Sequence, residues 1–388
     1  MRILHVVPTY IPAYRYGGPI YSVHGLCKAL VLLGYEVSVF TTNVDGENDS
    51  DVPLGQPVDI DGVKVWYFPS KHLRRLYWSP PMKKALEQHI PDFDILHLHS
   101  IFLWPTWAAA RAARRMGTPY IIAPRGMLVK ELIERKSSFA KTLWISLTER
   151  RNLEHAAAIH VTTDNEMKEA QKFGFSLPSV FIVPNGVDVE ELRRQTRHVS
   201  PFIESIIHKP YLLFLGRINW KKGLDRLIPA LLHVPDIPLV IAGNDEDNYK
   251  PKIEALAVSH DVSNRITFTG PVYGDDKAAL LQNASILVLP SYSENFGNVV
   301  IEAMAFGCPV VVTQEVGLSD TVSKTGAGIV VKGNPAILGN SIKALLSNSD
   351  LMRKMGFNGQ RTARERFSWD IVARRIVDVY ESILDNHK

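Results

Sequence analysis

The sequence predicts an α/β protein made of two doubly wound parallel-sheet domains. Three observations carry that prediction. At 388 residues the chain exceeds one ordinary hydrophobic core, so two domains of roughly 190 residues each are expected. Short apolar runs without alternation, such as Ile286–Leu289 and Val310–Val312, read as strands buried on both faces, as in parallel sheets covered by helices. Between such runs lie stretches with helical spacing bounded by Gly and Pro, so that strand and helix alternate along most of the chain.

Composition limits the classes of function. A chain with 46% hydrophobic and 22% charged residues is ordinary globular protein. A net charge of +4 is too mild to indicate nucleic acid, and no nucleic-acid motif is present. The positive excess is local: ten Lys or Arg face three Asp or Glu between Arg111 and Arg151. Cys27 and Cys308 fall in different predicted domains and make no disulfide framework. Met1 leads straight into strand residues without an apolar leader, and no apolar run approaches membrane-spanning length, so a cytoplasmic location is expected.

Taken in order, Arg2 to Pro8 read as a buried strand and are followed by a loop ending in Gly17, Gly18 and Pro19. The next helix runs to about Leu33, with Pro19 suited to its first turn and Gly34 to its C-terminal end. Gly17-Gly18 fits either a plain turn or a seat for phosphate or sugar. Val37 to Thr41 is the second strand, and Val58 to Phe68 is a hairpin turning at Asp61-Gly62. Ile95 to His99 carries His97 and His99 on one face to the C-terminal end of a strand, where open parallel sheets place ligands. Two imidazoles without a third ligand make a poor zinc site; His99 reads as either a sugar contact or a structural histidine. Tyr120 to Ala123 ends in Pro124-Arg125-Gly126. In the basic segment that follows, residues 127–153, Leu, Trp and Ile recur among Lys and Arg. With Arg74, Arg75, Tyr77 and Trp78 it suits an anionic membrane surface or a lipid pyrophosphate acceptor, or else amphipathic helices with a solvated basic face. Ala158 to Thr162 and Val180 to Pro184 close the first sheet, and the polar stretch to about Lys209 reads as a linker.

The second sheet starts at Tyr211 to Leu215 and runs into Gly216 and Arg217. Lys222-Gly223 opens a helix with Leu224, Leu227, Ile228, Leu231 and Leu232 at helical spacing, in which Pro229 forces a kink or an early end. Leu239 to Ala242, Ile266 to Phe268 and Ile286 to Leu289 are further strands. Glu294 lies in the loop after the last of these and Glu302 in the helix beyond, with seven residues between them. That helix is apolar nearly all round, so the Glu302 carboxylate leaves water and needs a partner, for which a ligand hydroxyl is suited. Phe296, Gly297 and Asn298 open the helix, where backbone N–H groups and the positive dipole end favour a phosphate. Finally, Ser368 caps a helix to about Asp385 with Val372, Ile376, Val379, Tyr380 and Ile383 facing inward.

The run from Ser293 through Glu294, Phe296, Gly297, Asn298, Val299 and Glu302 to Ala303 resembles the paired-glutamate motif of retaining nucleotide-sugar glycosyltransferases with the GT-B fold, family 4. The resemblance extends over essentially the whole chain. Gly216-Arg217 followed by Lys222-Gly223 matches a second family motif, and Asn185-Gly186-Val187-Asp188 resembles the start of the family's interdomain connection. It implies two Rossmann-like domains facing an interdomain cleft: an acceptor-side domain over 1–187, a nucleotide-sugar-binding domain over 188–368, and a C-terminal helix over 369–388 that returns to the first. It assigns Arg217 and Lys222 to the diphosphate, Glu294 to the donor sugar and Glu302 to the ribose hydroxyls. Backbone groups of Phe296, Gly297, Asn298 and Val299 would meet sugar and phosphate, Gly17 and Gly18 would face the donor, and Gly216 completes the motif around Arg217. In the relatives the segment Gly270 to Gly274 holds the base, so Val272 or Tyr273 is expected to pack on it. Many members carry a histidine near Arg125; an arginine better suits an anionic acceptor or phosphate.

The implied activity is retaining transfer of a hexose from a UDP-sugar to a saccharide or lipid-linked saccharide acceptor in envelope or exopolysaccharide synthesis, with no cofactor and no essential metal. UDP-glucose or UDP-galactose is expected only because those donors are common. Asp59-Ile60-Asp61 has the aspartate spacing of metal-dependent GT-A transferases but sits in a turn; Asp245 and Asp247 follow a strand and leave room for a divalent ion. Of the alternatives, a nucleotide-sugar epimerase shares the bilobal plan, a nicotinamide-dependent dehydrogenase lacks its G-x-G-x-x-G fingerprint here, and a bilobal solute-binding protein needs no paired glutamates.

Overall fold

The computed structural model describes residues 1–128, 148–188 and 198–387. The chain divides into two units, Met1–Gly186 with Trp369–Lys388, and Val187–Ser368. The first contains β1 (Arg2–Val6), β2 (Glu36–Thr42), β3 (Val44–Asp45), β4 (Asn48–Asp49), β5 (Pro57–Ile60), β6 (Val63–Phe68), β7 (Ile95–His99), β8 (Tyr120–Ala123), β9 (Ala158–Val161) and β10 (Val180–Ile182). Apart from the small β3–β4 hairpin they form one sheet in the order β10-β9-β8-β7-β1-β2-β6-β5. Neighbours are parallel except for the β5–β6 hairpin. In that hairpin Asp61 and Gly62 have φ of 54° and 81°, the two left-handed residues a two-residue turn requires.

Strand order reverses between β1 and β7, so the carboxyl ends of those strands flank the crevice where doubly wound sheets place ligands. Strand alternation sorts the sheet's two faces. Leu4, Val6, Leu96 and Leu98 pack with Met82, Leu86 and Ala109 on one side. Ile3 and Ile95 pack on the other with Leu26 and Leu30 of the helix Gly18–Leu32 and Val372, Ile376 and Tyr380 of the helix Trp369–Asp385. The last helix is seated by Trp369: a Cβ on Gly25 or Gly186 would come within 2.3 Å or 2.4 Å of its ring.

The second unit contains β11 (Leu212–Leu215), β12 (Leu239–Ala242), β13 (Ile266–Gly270), β14 (Ile286–Leu289), β15 (Val310–Thr313) and β16 (Gly328–Val331). All are parallel, in the order β13-β12-β11-β14-β15-β16, and the reversal falls between β11 and β14. Every residue of β11, β12, β14 and β15 is buried, which is why these strands read as unbroken apolar runs.

Two sequence expectations change. The stretch assigned as linker contains the helix Pro201–Ile207, and Ile203 is buried in the second unit's core with Ile206 and Ile207 against it. Helical spacing of those isoleucines outweighs the polar residues around them. Pro229 ends its helix at Ala230, and the chain continues as the 3-10 turn Leu231–His233, so Leu232 is 58% exposed rather than inward. Most of the basic segment, 129–147, lies outside the described residues, as does 189–197 of the expected linker. No described helix is long and apolar enough to cross a membrane.

Candidate active site

The second unit brings Lys222 to Glu294 across the reversal point of its sheet. Beyond β11 the chain passes Gly216 and Arg217 and makes the turn Trp220–Lys222. Gly223, at φ 70°, then opens the helix Leu224–Ala230. A Cβ on Gly223 would sit 2.0 Å from the Pro290 carbonyl oxygen, so this turn lies directly against the chain leaving β14. Lys222 Nζ therefore reaches Glu294 Oε2, with the two side chains 15% and 20% exposed. Glu294 is pinned through its backbone: its N–H donates to the Glu315 carbonyl at 3.1 Å, and its carbonyl accepts from Gly317 N–H at 2.8 Å. Just beyond, Gly297 at φ 95° precedes the helix Asn298–Phe306. The Phe296 ring is buried in the core, 6.2 Å from the ring of Phe367, so residues 296–299 present backbone rather than an aromatic face. A helix start here adds N–H donors and positive dipole charge beside the ion pair.

Glu302 has a protein partner. Lys277, on the helix Gly274–Asn283, donates to its Oε1 at 2.7 Å, where the sequence left a ligand hydroxyl to fill the role. Arg217 donates to Glu246 Oε1 at 2.6 Å, and Glu246 also accepts from Asn219 Nδ2. The two cations assigned to one diphosphate thus rest against different carboxylates. Gly216 lies beside Lys222: a Cβ there would be 3.8 Å from the lysine Cε. Val272 packs half-buried against the core while Tyr273 is 53% exposed, so Tyr273 is the one whose ring is open to solvent. Lys277 and Glu246 were not singled out because each lies on an unremarkable polar stretch; only their partners give them meaning. The Asp245 carboxylate caps the helix Lys250–Ser259 by accepting from the N–H groups of Tyr249 and Lys250 at 2.7 Å and 3.0 Å. Asp59 accepts from Gly62 N–H at 3.0 Å within its turn, and Asp61 pairs with His24 at 2.9 Å.

In the first unit, Gly17 at φ 69° precedes the helix that begins at Gly18. Beneath the carboxyl edge of the sheet the structure places a group of imidazoles that sequence reading saw only in half. Alternation puts His5 of β1, His97 and His99 of β7 and His160 of β9 on the same face, all buried. Their partners determine the ring protons. Arg125 donates to His99 Nδ1 through Nε at 3.3 Å and Nη2 at 3.1 Å. His99 Nε2–H must then donate to His5 Nδ1 at 2.9 Å, which leaves His5 Nε2–H buried without a partner. In parallel, His160 Nε2–H donates to the Val183 carbonyl at 2.8 Å, His97 Nε2–H to His160 Nδ1 at 3.2 Å, and the Tyr380 hydroxyl to His97 Nδ1 at 2.7 Å. All four rings are neutral in this scheme. Burial, helped by the charge of Arg125, pushes His5 and His160 down to about 3. Burial, joined by the neighbouring imidazoles and Arg125, holds His97 and His99 well below the ordinary range.

This arrangement bears on two expectations. A third imidazole, His5, does join His97 and His99, with donor atoms within 4.8 Å of one another; but the Arg125 guanidinium already donates to His99, a poor setting for a second cation. Of the two readings left open for His99, sugar contact or structural histidine, the structure favours the second: it is 2% exposed and both nitrogens have protein partners. Arg125 also donates to Asn185 Oδ1 at 2.7 Å. Glu166, likewise unforeseen, is a buried carboxylate that accepts from Gly126 N–H at 2.6 Å and from the Thr162 N–H and hydroxyl at 2.8 Å and 2.7 Å. Thr163 capping the helix that carries Glu166 was the available sequence signal.

Comparison with known proteins agrees with this architecture. A Glycosyl transferase 4-like domain matches residues 17–186, and the Glycosyl transferases group 1 family matches 201–362. The chain is similar to an uncharacterized glycosyltransferase of Methanocaldococcus jannaschii, 28% identical over 403 residues and covering 99% of each chain. It is also similar to the D-inositol 3-phosphate glycosyltransferase of Streptomyces bingchenggensis, 27% identical over 100% of this chain and 90% of that one. In fold it resembles the crystal structure of Anabaena HepE in complex with UDP and glucose, with a TM-score of 0.77 at 19% identity, covering 98% of this chain and 100% of the other. With two doubly wound sheets and family matches that together span residues 17–186 and 201–362, the chain belongs to the GT-B glycosyltransferases of the family 4 type.

Proposed function

We propose that this glycosyltransferase moves a hexose from a UDP-sugar, with retention of anomeric configuration, to a saccharide or lipid-linked saccharide hydroxyl in glycan synthesis. The observation that carries the reading is the Lys222–Glu294 contact at the reversal point of the second sheet, just before the helix start at Asn298. As the bond from sugar to phosphate breaks, negative charge grows on the departing diphosphate. In this proposal Lys222, Arg217 and the N–H groups opening the helix meet that charge, which lowers the barrier where charge develops. An ammonium has three donors, and Glu294 engages one. Glu294 in turn orients sugar hydroxyls and steadies positive charge at the anomeric carbon. It is assigned no nucleophilic role: the acceptor hydroxyl attacks from the face of the departing phosphate, whose oxygen takes the proton, and configuration is kept. Glu302, anchored by Lys277, would accept from the ribose hydroxyls.

UDP as nucleotide is supported by the HepE complex, which contains UDP and glucose. A hydroxyl-rich acceptor is supported by the relative named for D-inositol 3-phosphate. With two cations and a helix start assigned to the leaving group, transfer is proposed to proceed without a metal. Contact with an anionic membrane is supported by exposed Arg75 between Leu73 and Leu76, which are 64% and 42% exposed. The test is calorimetric titration with UDP, GDP and ADP in the presence of a chelator, followed by transfer from the matching nucleotide sugars and determination of the product anomer. Selective UDP binding and a product that keeps the donor's configuration are expected. An inverted product, or turnover that needs added metal, would refute the mechanism as written.

A further inference from the structure

We infer that Arg125 anchors an oxyanion-binding site in the first unit, which takes the phosphate or carboxylate group of an acidic acceptor. The site stands on the geometry of that unit alone; naming its ligand the acceptor rests on the transfer reading above. Arg125 follows β8, at the carboxyl edge of the sheet. Its backbone is left-handed at φ 55° and leads into Gly126 at φ 75°, a conformation that a non-glycine residue adopts at a cost of about 1 kcal/mol or more. The Glu166 carboxylate holds the bend in place through Gly126 N–H.

The guanidinium that this bend delivers is partly buried and, among the described residues, held by neutral acceptors, His99 Nδ1 and Asn185 Oδ1. Among the described residues it makes no ion pair. Glu166, the acid whose field acts on it most, directs both carboxylate oxygens to Gly126 and Thr162 instead. A cation withdrawn from water without a counter-ion is unfavourable, and an arriving oxyanion is the group that compensates it. The imidazoles maintain the arrangement. His99 can accept from Arg125 at Nδ1 only while its own proton sits on Nε2, and His5 Nδ1 fixes it there. Arginine carries five N–H donors in a planar fork suited to two-oxygen recognition, and the His99 and Asn185 contacts engage three. A purely structural arginine would tie β7 to the Asn185 loop equally well, so the two roles must be separated by ligand response.

Thermal unfolding is followed in saturating UDP, which occupies the cationic groups of the second unit, while inorganic phosphate is added at constant ionic strength. At a tenfold excess over its dissociation constant, phosphate should raise the wild-type midpoint by about 4 °C. Arg125→Met should lose the rise; Arg125→Lys, which keeps the charge without the fork and serves if the methionine variant does not fold, should need about tenfold more phosphate. No rise in wild type, or an equal rise in either variant, overturns the site. Glucose 6-phosphate and glucuronate are then compared with glucose: a larger rise with one of them assigns a phosphate-bearing or a carboxylate-bearing acceptor. Equal response to all three overturns the assignment to the acceptor. Failure of wild type to bind UDP would instead sink the transfer reading and leave the oxyanion site standing.

Discussion

Lowering the pH from 7.5 to 5 should loosen the first unit and spare the second. His5 and His160 have folded pKa values near 3 against an ordinary 6.5. The unfolded chain therefore takes up protons first, so stability is complete above about pH 6.5 and drains as the pH falls toward 3. At pH 5 each ring is about 1.5 units inside that window, a loss of about 2 kcal/mol per ring and about 4 kcal/mol for the two. His97 and His99, held below the ordinary range chiefly by burial, act in the same direction. Glu149 opposes them. Burial pushes it up to about 7 from 4.5, so its folded form holds a proton that the unfolded form has lost, and acidification returns about 2 kcal/mol. His5, His160 and Glu149 together leave a net loss of about 2 kcal/mol, to which His97 and His99 add, a sizeable part of a domain's stability.

Hydrogen exchange by mass spectrometry, corrected for intrinsic rates, reads the two units separately. The second unit is an internal control, because the groups shifted among its described residues, Tyr211, Tyr249, Tyr292, Arg265 and Cys308, titrate on the alkaline side. Protection of β1, β7 and β9 should fall while β11 and β14 hold. In Glu149→Gln the fall should deepen by about 2 kcal/mol, since the opposing group is gone. Equal loss in both sheets would refute the imidazole argument.

Other expectations concern the site. Lys222→Ala and Glu294→Gln should each lower kcat by about 100-fold or more with folding intact, measured as UDP release with acceptor present; near wild-type turnover in either would remove that residue from the mechanism. Glu302→Gln should weaken UDP about tenfold in calorimetry while leaving inorganic pyrophosphate unaffected, because the assigned contact is to ribose; an equal effect on both ligands would move Glu302 to the phosphates. Gly223→Ala should destabilise the second unit by about 3 kcal/mol in urea, through the Pro290 carbonyl clash and its positive φ. Gly34→Ala, with positive φ but nothing near its Cβ, should cost about 1 kcal/mol; similar costs would mean the Gly223 turn yields.

Much of this protein is local in origin and so was legible in its residues. The buried strands of the second sheet are continuous apolar runs, the Asp61-Gly62 turn announces its hairpin, and Pro229 marks where a helix must stop. The run from Glu294 to Glu302 likewise brings its loop, its glycine and its helix start within one short stretch. What the sequence could not specify are the partnerships that cross from one element to another. Nothing near Lys277 points to Glu302, 25 positions away, and nothing near Arg217 points to Glu246. Single histidines on β1 and β9 are unremarkable until parallel register sets His5 against His97 and brings His160 to the same face. Arg125 already read as suited to an anionic acceptor or phosphate; packing showed that neutral groups hold it, with the Glu166 carboxylate turned to Gly126 and Thr162. Strand and turn propensities act over a few residues and survive in the one-dimensional order. Charge pairing and burial depend on distances that exist only after the sheets have formed, and those the tertiary structure alone decided.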